Sequence, residues 1–311
     1  MDITEIAEAL GQWFRGNLQL NKPLADLTTF RIGGPAGLLA MPKGIEDLKL
    51  ITQEIASSGM DFFVLGHGSN VLISDLGFPG IVLVLGEGFK RIKRQGKDKV
   101  YVEAGCELNR LIAWTIERDL AGLELLAGIP GSIGGSVRMN AEAQGCSIGD
   151  TVREVSVLRL EGKEVSDRQM PAQNMHFGYR KTDIEDNEII YRVKLKLDNS
   201  GKDDLEARRK EVMRWRKKNQ PLAKPSAGSI FRNPAGTSAG ELIDRCGLKG
   251  KRIGGAVVSE KHANFIVNTG GATARDVYEL IDSIKEEVRS REGIELEEEI
   301  KLIGDMGGGS S

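Results

Sequence analysis

The sequence predicts a protein of mixed helices and strands divided into more than one domain. Its 311 residues exceed what one small hydrophobic core organises, so two or three domains are expected. Apolar residues recur at helical spacing in some stretches and in short unbroken runs in others. Towards the C-terminal side, Pro221 and Pro225 make a linker that opens a last domain.

Composition narrows the function classes. Hydrophobic residues make up 40% of the chain and charged residues 28%, the balance of an ordinary soluble globular protein. A net charge of −2 leaves no electrostatic footprint for nucleic acid or an anionic membrane, and neither is expected as a partner. The basic runs Lys90 to Arg94 and Arg208 to Lys218 have acids nearby and read as solvated faces or substrate-side charge. Three cysteines, Cys106, Cys146 and Cys246, stand far apart without histidines at ligand spacing, so neither a metal site nor a disulfide is expected. The opening MDITEIAEALGQWF carries acids where a signal peptide needs bases, and no apolar run has the length of a membrane span. A cytoplasmic location is expected. The ending Met306 to Ser311, MGGGSS, resembles a linker or tag remnant and is set aside from the fold.

In chain order, Ile3, Ile6, Leu10, Trp13 and Phe14 lie at helical spacing and predict an amphipathic helix ending near Gly16. LTTFRIGGP, Leu27 to Pro35, is a short extended run stopped by glycines and proline, with Arg31 able to meet a phosphate or simply sit on a surface strand. Ile45, Leu48, Ile51 and Ile55 predict a second helix within 44–58. It leads into Phe62 to Ser74, FFVLGHGSNVLIS, the stretch around which the chain is organised: strand, glycine-rich turn, strand. Bare backbone at Gly66 and Gly68, with Ser69 and Asn70 beside it, can cradle a diphosphate; a plain hairpin turn fits the same residues. Because no helix follows, the usual dinucleotide fingerprint does not apply.

Strands are then expected at Ile81 to Leu85 and Val100 to Ala104, and a helix at Glu107 to Arg118. The loop GIPGSIGGSVRMN, Gly128 to Asn140, is too rich in glycine for a continuous helix or a central strand, and suits close approach to a flat, partly apolar ligand. Val152 to Leu160 and Glu188 to Leu197 are further strands, with Tyr179 and Arg180 between them. Leu205 to Lys217 is a basic helix. In the last domain, Ser238 and Glu241 form a capping box for a helix, Ala256 to Val258 and Phe265 to Val267 are strands, and Val277 to Val288 is the last helix. The closing IELEEEIKLIG alternates as a strand, with Glu298 the odd acid on its apolar face and Glu299 on its polar face.

With these stretches read, the chain resembles UDP-N-acetylenolpyruvoylglucosamine reductases, the flavoenzymes of peptidoglycan precursor synthesis. The matching stretches are TTFRIGGPA, LGHGSNVLIS, GIPGSIGGSV with MNA, FGYRK, SAGSIFRNP, SEKHANFIVN and LEEEIKLIG, in the family's order. The short segment after FGYRK resembles the type II branch. The resemblance implies an α+β fold like that of the vanillyl-alcohol-oxidase (PCMH-type) flavoproteins: FAD-binding subdomains at 1–87 and 88–220, and a C-terminal α+β substrate-binding domain at 221–305. It implies non-covalent FAD, NADPH as co-substrate, and UDP-N-acetylglucosamine enolpyruvate as the molecule reduced.

The same resemblance assigns residues. Arg180 would stabilise an enolate, Ser229 would donate the proton, and Glu299 would support that relay; the choice of Glu299 over Glu298 comes from the family's closing motif. FAD would be held by Arg31, by the turn Gly66, His67, Gly68, Ser69 and Asn70, and by the second loop through Gly128, Pro130, Gly131, Ser132, Ile133, Gly134, Gly135, Ser136 and Asn140. Tyr179, Lys218, Asn233, Lys261 and Asn264 would contact the UDP-sugar. The chain departs from the family pattern at His67, at Glu142 and Gln144, and at Asn219, where a common lysine is replaced and Lys218 becomes the phosphate contact. Two other readings compete: an oxidase with FAD attached covalently to His67, and a non-catalytic UDP-sugar-binding protein. Reduction of the enolpyruvyl substrate distinguishes them.

Overall fold

The structure is a computed structural model that describes residues 2–307; residues 308–311 of the expected linker lie outside the described residues. The chain forms two compact units. The first comprises residues 1–20, 37–67 and 80–214, and the second residues 21–36, 68–79 and 215–311. The expected start of a last domain at 221 thus compares with a second-unit segment beginning at Trp215, inside the helix Lys202–Asn219.

The first unit is built on two sheets. A five-stranded antiparallel sheet runs in the order Glu164–Pro171, Val152–Glu161, Glu188–Lys196, Lys99–Glu103, Ile92–Gln95. Its central strands alternate buried valines, leucines and isoleucines such as Val102, Val155, Val157 and Val193 into the core. Glu164–Pro171 was not foreseen. As an edge strand it is mostly exposed and polar, so it carries no apolar alternation to read. A second, four-stranded sheet orders Asn17–Pro23, Pro35–Met41, Phe78–Leu83 and Phe62–Val64. The helices Ile3–Gly11, Ile45–Ser58 and Leu108–Ile116 present Ile6, Leu48, Ile51 and Leu111 to the same core. Ile3–Gly11 starts at a capping box between Asp2 and Glu5 and ends earlier than expected. Trp13, read as part of its buried face, is 73% exposed because it lies beyond the last turn.

The second unit packs the helices Ala239–Arg245 and Ala274–Glu292 on a three-stranded antiparallel sheet, Arg252–Ile253, Ala256–Val258, Ile266–Asn268. Ala274–Glu292 has the predicted apolar face, Val277, Leu280, Ile281, Ile284 and Val288, all buried. The capping box of Ser238 and Glu241 is formed. Thr273 and Asp276 form a further one, which the sequence reading passed over.

Phe62 to Ser74 forms the expected strand, turn and strand, but not as a hairpin: Phe62–Val64 runs parallel to Phe78–Leu83, and Val71–Ile73 runs parallel to Lys301–Ile303. Each strand finds its partner far along the chain, so the turn between them carries no strand-pairing duty. The closing strand is also shorter than its alternation suggests. Only Lys301–Ile303 is a strand, while 294–300 is irregular and touches Phe231 through one bridge at Glu298.

The last helix gives two stability predictions. Leu280→Ala is expected to cost about 2–5 kcal/mol, read as a lowered denaturant midpoint. For Asp276, burial pulls its carboxyl up, but the N–H groups of Thr273 and Gly255 and the Thr273 hydroxyl pull it down further, for a net lowering. A folded value below the unfolded one contributes stability above the ordinary aspartate range near pH 4 and loses it as pH falls through that range. Asp276→Asn is therefore expected to lower the urea midpoint at about pH 7, and the gap to the parent chain to close by about pH 2.

Candidate active site

In the first unit a cleft is lined by Val64, Leu65, Gly66, Leu85, Ala104, Gly105, Ser132, Gly134, Gly135, Arg138 and Ile190. Apolar walls and bare backbone suit a ligand that is flat and apolar over part of its length and anionic elsewhere. Gly66 packs closely on Ser132: a Cβ there would lie 2.5 Å from the Ser132 hydroxyl oxygen, which would have to turn away. The loop Gly128 to Asn140, expected to exclude a continuous helix, in fact contains the short helix Ile133–Arg138. Ser132 caps it by accepting from the Gly135 N–H at 3.3 Å. Gly128 and Gly131 lie in the loop before it, while Gly134 lets the helix approach the end of the strand Lys99–Glu103, since a Cβ on Gly134 would already sit 3.1 Å from that of Ala104.

Arg138 lines the cleft and was not singled out from the sequence. Its guanidinium donates to the carbonyls of Ile184 (3.4 Å), Glu185 (3.1 Å) and Glu188 (2.5 Å) and to Asp186 (3.2 Å). Burial draws its pKa below the ordinary arginine value, opposed by Asp186 and Glu188. These bonds hold the segment 184–188 in place. Burial likewise pushes the thiols of Cys106 and Cys146 up to about 11, so neither is ionised for nucleophilic or metal chemistry near neutral pH.

Arg180 occupies a two-residue turn between Phe177–Gly178 and Lys181–Thr182. Its φ of 53° is a left-handed conformation that an arginine seldom adopts, of the kind held at functional sites. The guanidinium donates to the Glu142 carbonyl at 3.3 Å and lies 5.3 Å from the centre of the Tyr179 ring. Tyr179 is 46% exposed. Asn140, at φ 41°, is almost fully buried. Its amide donates to the Gly178 carbonyl at 3.0 Å and accepts from the Gly149 N–H at 3.1 Å. The departures at Glu142 and Gln144 also find their place. Glu142–Ala143 and Cys146–Ser147 pair as a hairpin whose turn is Gln144-Gly145, both at positive φ. Glu142 meets Arg180 through its backbone, which any residue supplies.

The glycine-rich turn divides between the units: Gly66 and His67 fall in the first, Gly68, Ser69 and Asn70 in the second. His67 is exposed. In the second unit the Gly68 carbonyl accepts from both the N–H (3.0 Å) and the hydroxyl (3.2 Å) of Thr29, while Arg31, at φ 57°, is exposed nearby in sequence. Asn70 donates its amide to the Glu299 carbonyl at 3.1 Å, and its own carbonyl accepts from the Lys301 N–H at 2.9 Å. That ties the turn to the closing segment.

The structure pairs the segment that carries Ser229 with the segment that carries Glu299. The Glu299 N–H donates to the Ile230 carbonyl at 2.7 Å, and the Arg232 N–H to that of Glu297 at 2.9 Å, so 229–232 and 297–299 run side by side. On the other side of 229–232 stands Asn264, only 4% exposed. Its amide donates to the Phe231 carbonyl at 2.8 Å and accepts from the Phe231 N–H at 2.9 Å, while its backbone carbonyl accepts from Ile230. Asn264 thereby replaces a missing neighbouring strand. Glu298 is accounted for as well: it accepts from Lys285 of the last helix at 2.8 Å. Arg180 belongs to the first unit, whereas Ser229 and Glu299 belong to the second.

Around them, Asn233 accepts from the Ala239 N–H at 3.1 Å, and the Lys261 ammonium donates to the Lys217 carbonyl at 2.5 Å. Lys218 is exposed on the same helix end, and Asn219 is turned back onto the Trp215 carbonyl at 2.8 Å.

The sequence profile of the FAD binding domain matches residues 36–167, and that of the UDP-N-acetylenolpyruvoylglucosamine reductase C-terminal domain matches residues 220–303. The chain is 42% identical over 297 residues to the UDP-N-acetylenolpyruvoylglucosamine reductase of Heliobacterium modesticaldum, covering 95% of this chain and 93% of that one. It is 38% identical over 291 residues to the Bacillus subtilis protein of the same name, covering 93% and 95%. The chain belongs to the UDP-N-acetylenolpyruvoylglucosamine reductase family. The crystal structure of the Thermus caldophilus reductase superposes with a TM-score of 0.78 at 37% identity, over 94% of this chain and 100% of that one. The α+β flavoprotein fold expected from the reductase motifs is therefore the observed one.

Asn264→Ala would leave both backbone groups of Phe231 buried without a partner, and is expected to cost about 2–4 kcal/mol in a denaturation experiment. Gly66→Ala is expected to leave the chain folded by circular dichroism but purified with little FAD, measured by absorbance after acid release.

Proposed function

We propose that this chain uses NADPH and non-covalently bound FAD to reduce UDP-N-acetylglucosamine enolpyruvate to UDP-N-acetylmuramate, a cytoplasmic step of peptidoglycan precursor synthesis. The observation that carries the reading is membership of the reductase family across most of the chain; the bond from the Glu299 N–H to the Ile230 carbonyl at 2.7 Å, which joins the serine segment to the closing segment, supports it. The cofactor, when bound, supplies the hydride that NADPH delivers and the enolpyruvyl methylene carbon receives. Its supports are the bare backbone at Gly66, Gly134 and Gly135 and the Ser132 hydroxyl.

The chain's own residues handle charge and protons. Hydride addition leaves negative charge on the neighbouring carbon and its carboxylate, which the Arg180 guanidinium offsets with a planar, always charged fork. Ser229 gives that carbon its proton. A free hydroxyl is a poor acid, so Glu299, fixed one residue across from the serine segment, organises the proton's path. The ammonium groups of Lys218 and Lys261 meet the UDP phosphates, with Lys261 pinned on the helix end that carries Lys218. Tyr179 and Asn233 face the sugar. Asn264, expected as a sugar contact, also holds Phe231 and hence the serine segment.

The reading is tested without oxygen. NADPH should bleach the bound flavin, and the enolpyruvyl UDP-sugar should restore its absorbance. In Ser229→Ala the bleaching should persist while restoration slows by about 100- to 10,000-fold. A reduced flavin that reacts only with oxygen would transfer the case to an oxidase.

A further inference from the structure

We infer that Asn140 is a positioning residue for Arg180: its buried amide suspends the Arg180 turn from the end of the Ser132 helix. This rests on the reading that Arg180 acts on the substrate. The strands that flank Arg180 contribute only two residue pairs, Phe177 with Thr182 and Gly178 with Lys181. A hairpin so short does not hold a fixed geometry by itself. Outside anchors must do so, and they converge on one place in the chain. The Asn140 amide takes the Gly178 carbonyl, the Thr182 hydroxyl donates to the Arg138 carbonyl at 3.0 Å, and the Arg180 guanidinium reaches the Glu142 carbonyl. All three partners lie between Arg138 and Glu142, where the helix Ile133–Arg138 ends.

Asparagine is the residue type that satisfies both demands at this position. It tolerates the left-handed backbone at φ 41°, and its amide has a donor end and an acceptor end. The orientation is unambiguous, because reversing the amide would set its NH2 against the Gly149 N–H and its oxygen against the Gly178 carbonyl. With both ends engaged and the side chain buried, the amide is committed to the hairpin rather than to a cofactor. Glycine at 140 would keep the backbone conformation and remove only the amide. Aspartate would keep acceptance from Gly149 and lose donation to Gly178.

The experiment compares both half-reactions of the FAD-loaded protein by anaerobic stopped flow in Asn140→Gly, Asn140→Asp, Arg180→Ala and the Asn140→Gly/Arg180→Ala double variant. Expected for both Asn140 variants are unchanged FAD content, flavin reduction by NADPH within about 2-fold of the parent, and reoxidation by the enolpyruvyl UDP-sugar slowed about 10- to 100-fold. In the Arg180→Ala background, Asn140→Gly should add less than about 2-fold, because the residue it positions is gone. Loss of FAD or slowed reduction by NADPH in the Asn140 variants would overturn the inference and return Asn140 to the cofactor. A full, multiplicative loss in the double variant would overturn it too. If Arg180→Ala itself reoxidised at the parent rate, the role of Arg180 would fall first, and that result is read independently of Asn140.

Discussion

Backbone polar groups that leave a helix or a sheet still need partners, and in this chain buried asparagine amides supply them at three irregular segments. A loop that presents bare backbone to a ligand cannot also sit in a ladder, so its remaining N–H and C=O groups must be met from the side. Asn140 does this for Gly178 and Gly149, and Asn264 for both groups of Phe231. Asn268 does it for Phe30, Gly270 and Ala272. Each is under 9% exposed. An amide carries both signs of hydrogen bond on a short, uncharged stem, so it can be buried where a carboxylate or an ammonium would bring a desolvation cost.

This division of labour explains which parts of the site were legible in the sequence. The apolar faces of Ile45–Ser58, Leu108–Ile116 and Ala274–Glu292 were legible because core packing writes a 3.6-residue period directly into the chain. Arg180, Ser229 and Glu299 were reached through their motifs. The supporting residues were not distinguishable from ligand contacts, because a buried, saturated asparagine and an exposed, ligand-facing one leave the same letter. Asn140 and Asn264 were both expected as ligand contacts, and only the structure shows the backbone groups that their amides also hold. Arg138 was passed over for the same reason, since nothing local marks the carbonyls of 184–188 that it gathers.

Where the sequence reading failed on fold, the failure was non-local. Phe62 to Ser74 has the letters of a hairpin, yet its strands pair with Phe78–Leu83 and Lys301–Ile303. The turn between them is thus not a device for pairing the two strands. The closing segment shows a related effect. Alternation suggested one long strand and drew attention to Glu298, but the backbone of 294–300 is held irregularly through Phe231, Ile230 and Asn70. Glu298 then turns to Lys285 as a partly exposed ion pair of the kind that contributes little to stability.

A left-handed arginine is the strongest sign that geometry at the site outweighs local preference. Arg180 sits where glycine or asparagine would be comfortable, and neither carries a charge. Strain of this kind persists only when the surroundings determine the conformation more firmly than the residue resists it. Here the surroundings are the short helix Ile133–Arg138 and the residues that follow it, which line the cofactor cleft on one side and hold the Arg180 hairpin on the other. One piece of chain therefore both lines the cleft and fixes the hairpin that carries Arg180. That coupling accounts for the helical glycine at 134 despite its cost to helix stability: a bulkier residue there would press on Ala104 and shift the helix that holds the hairpin.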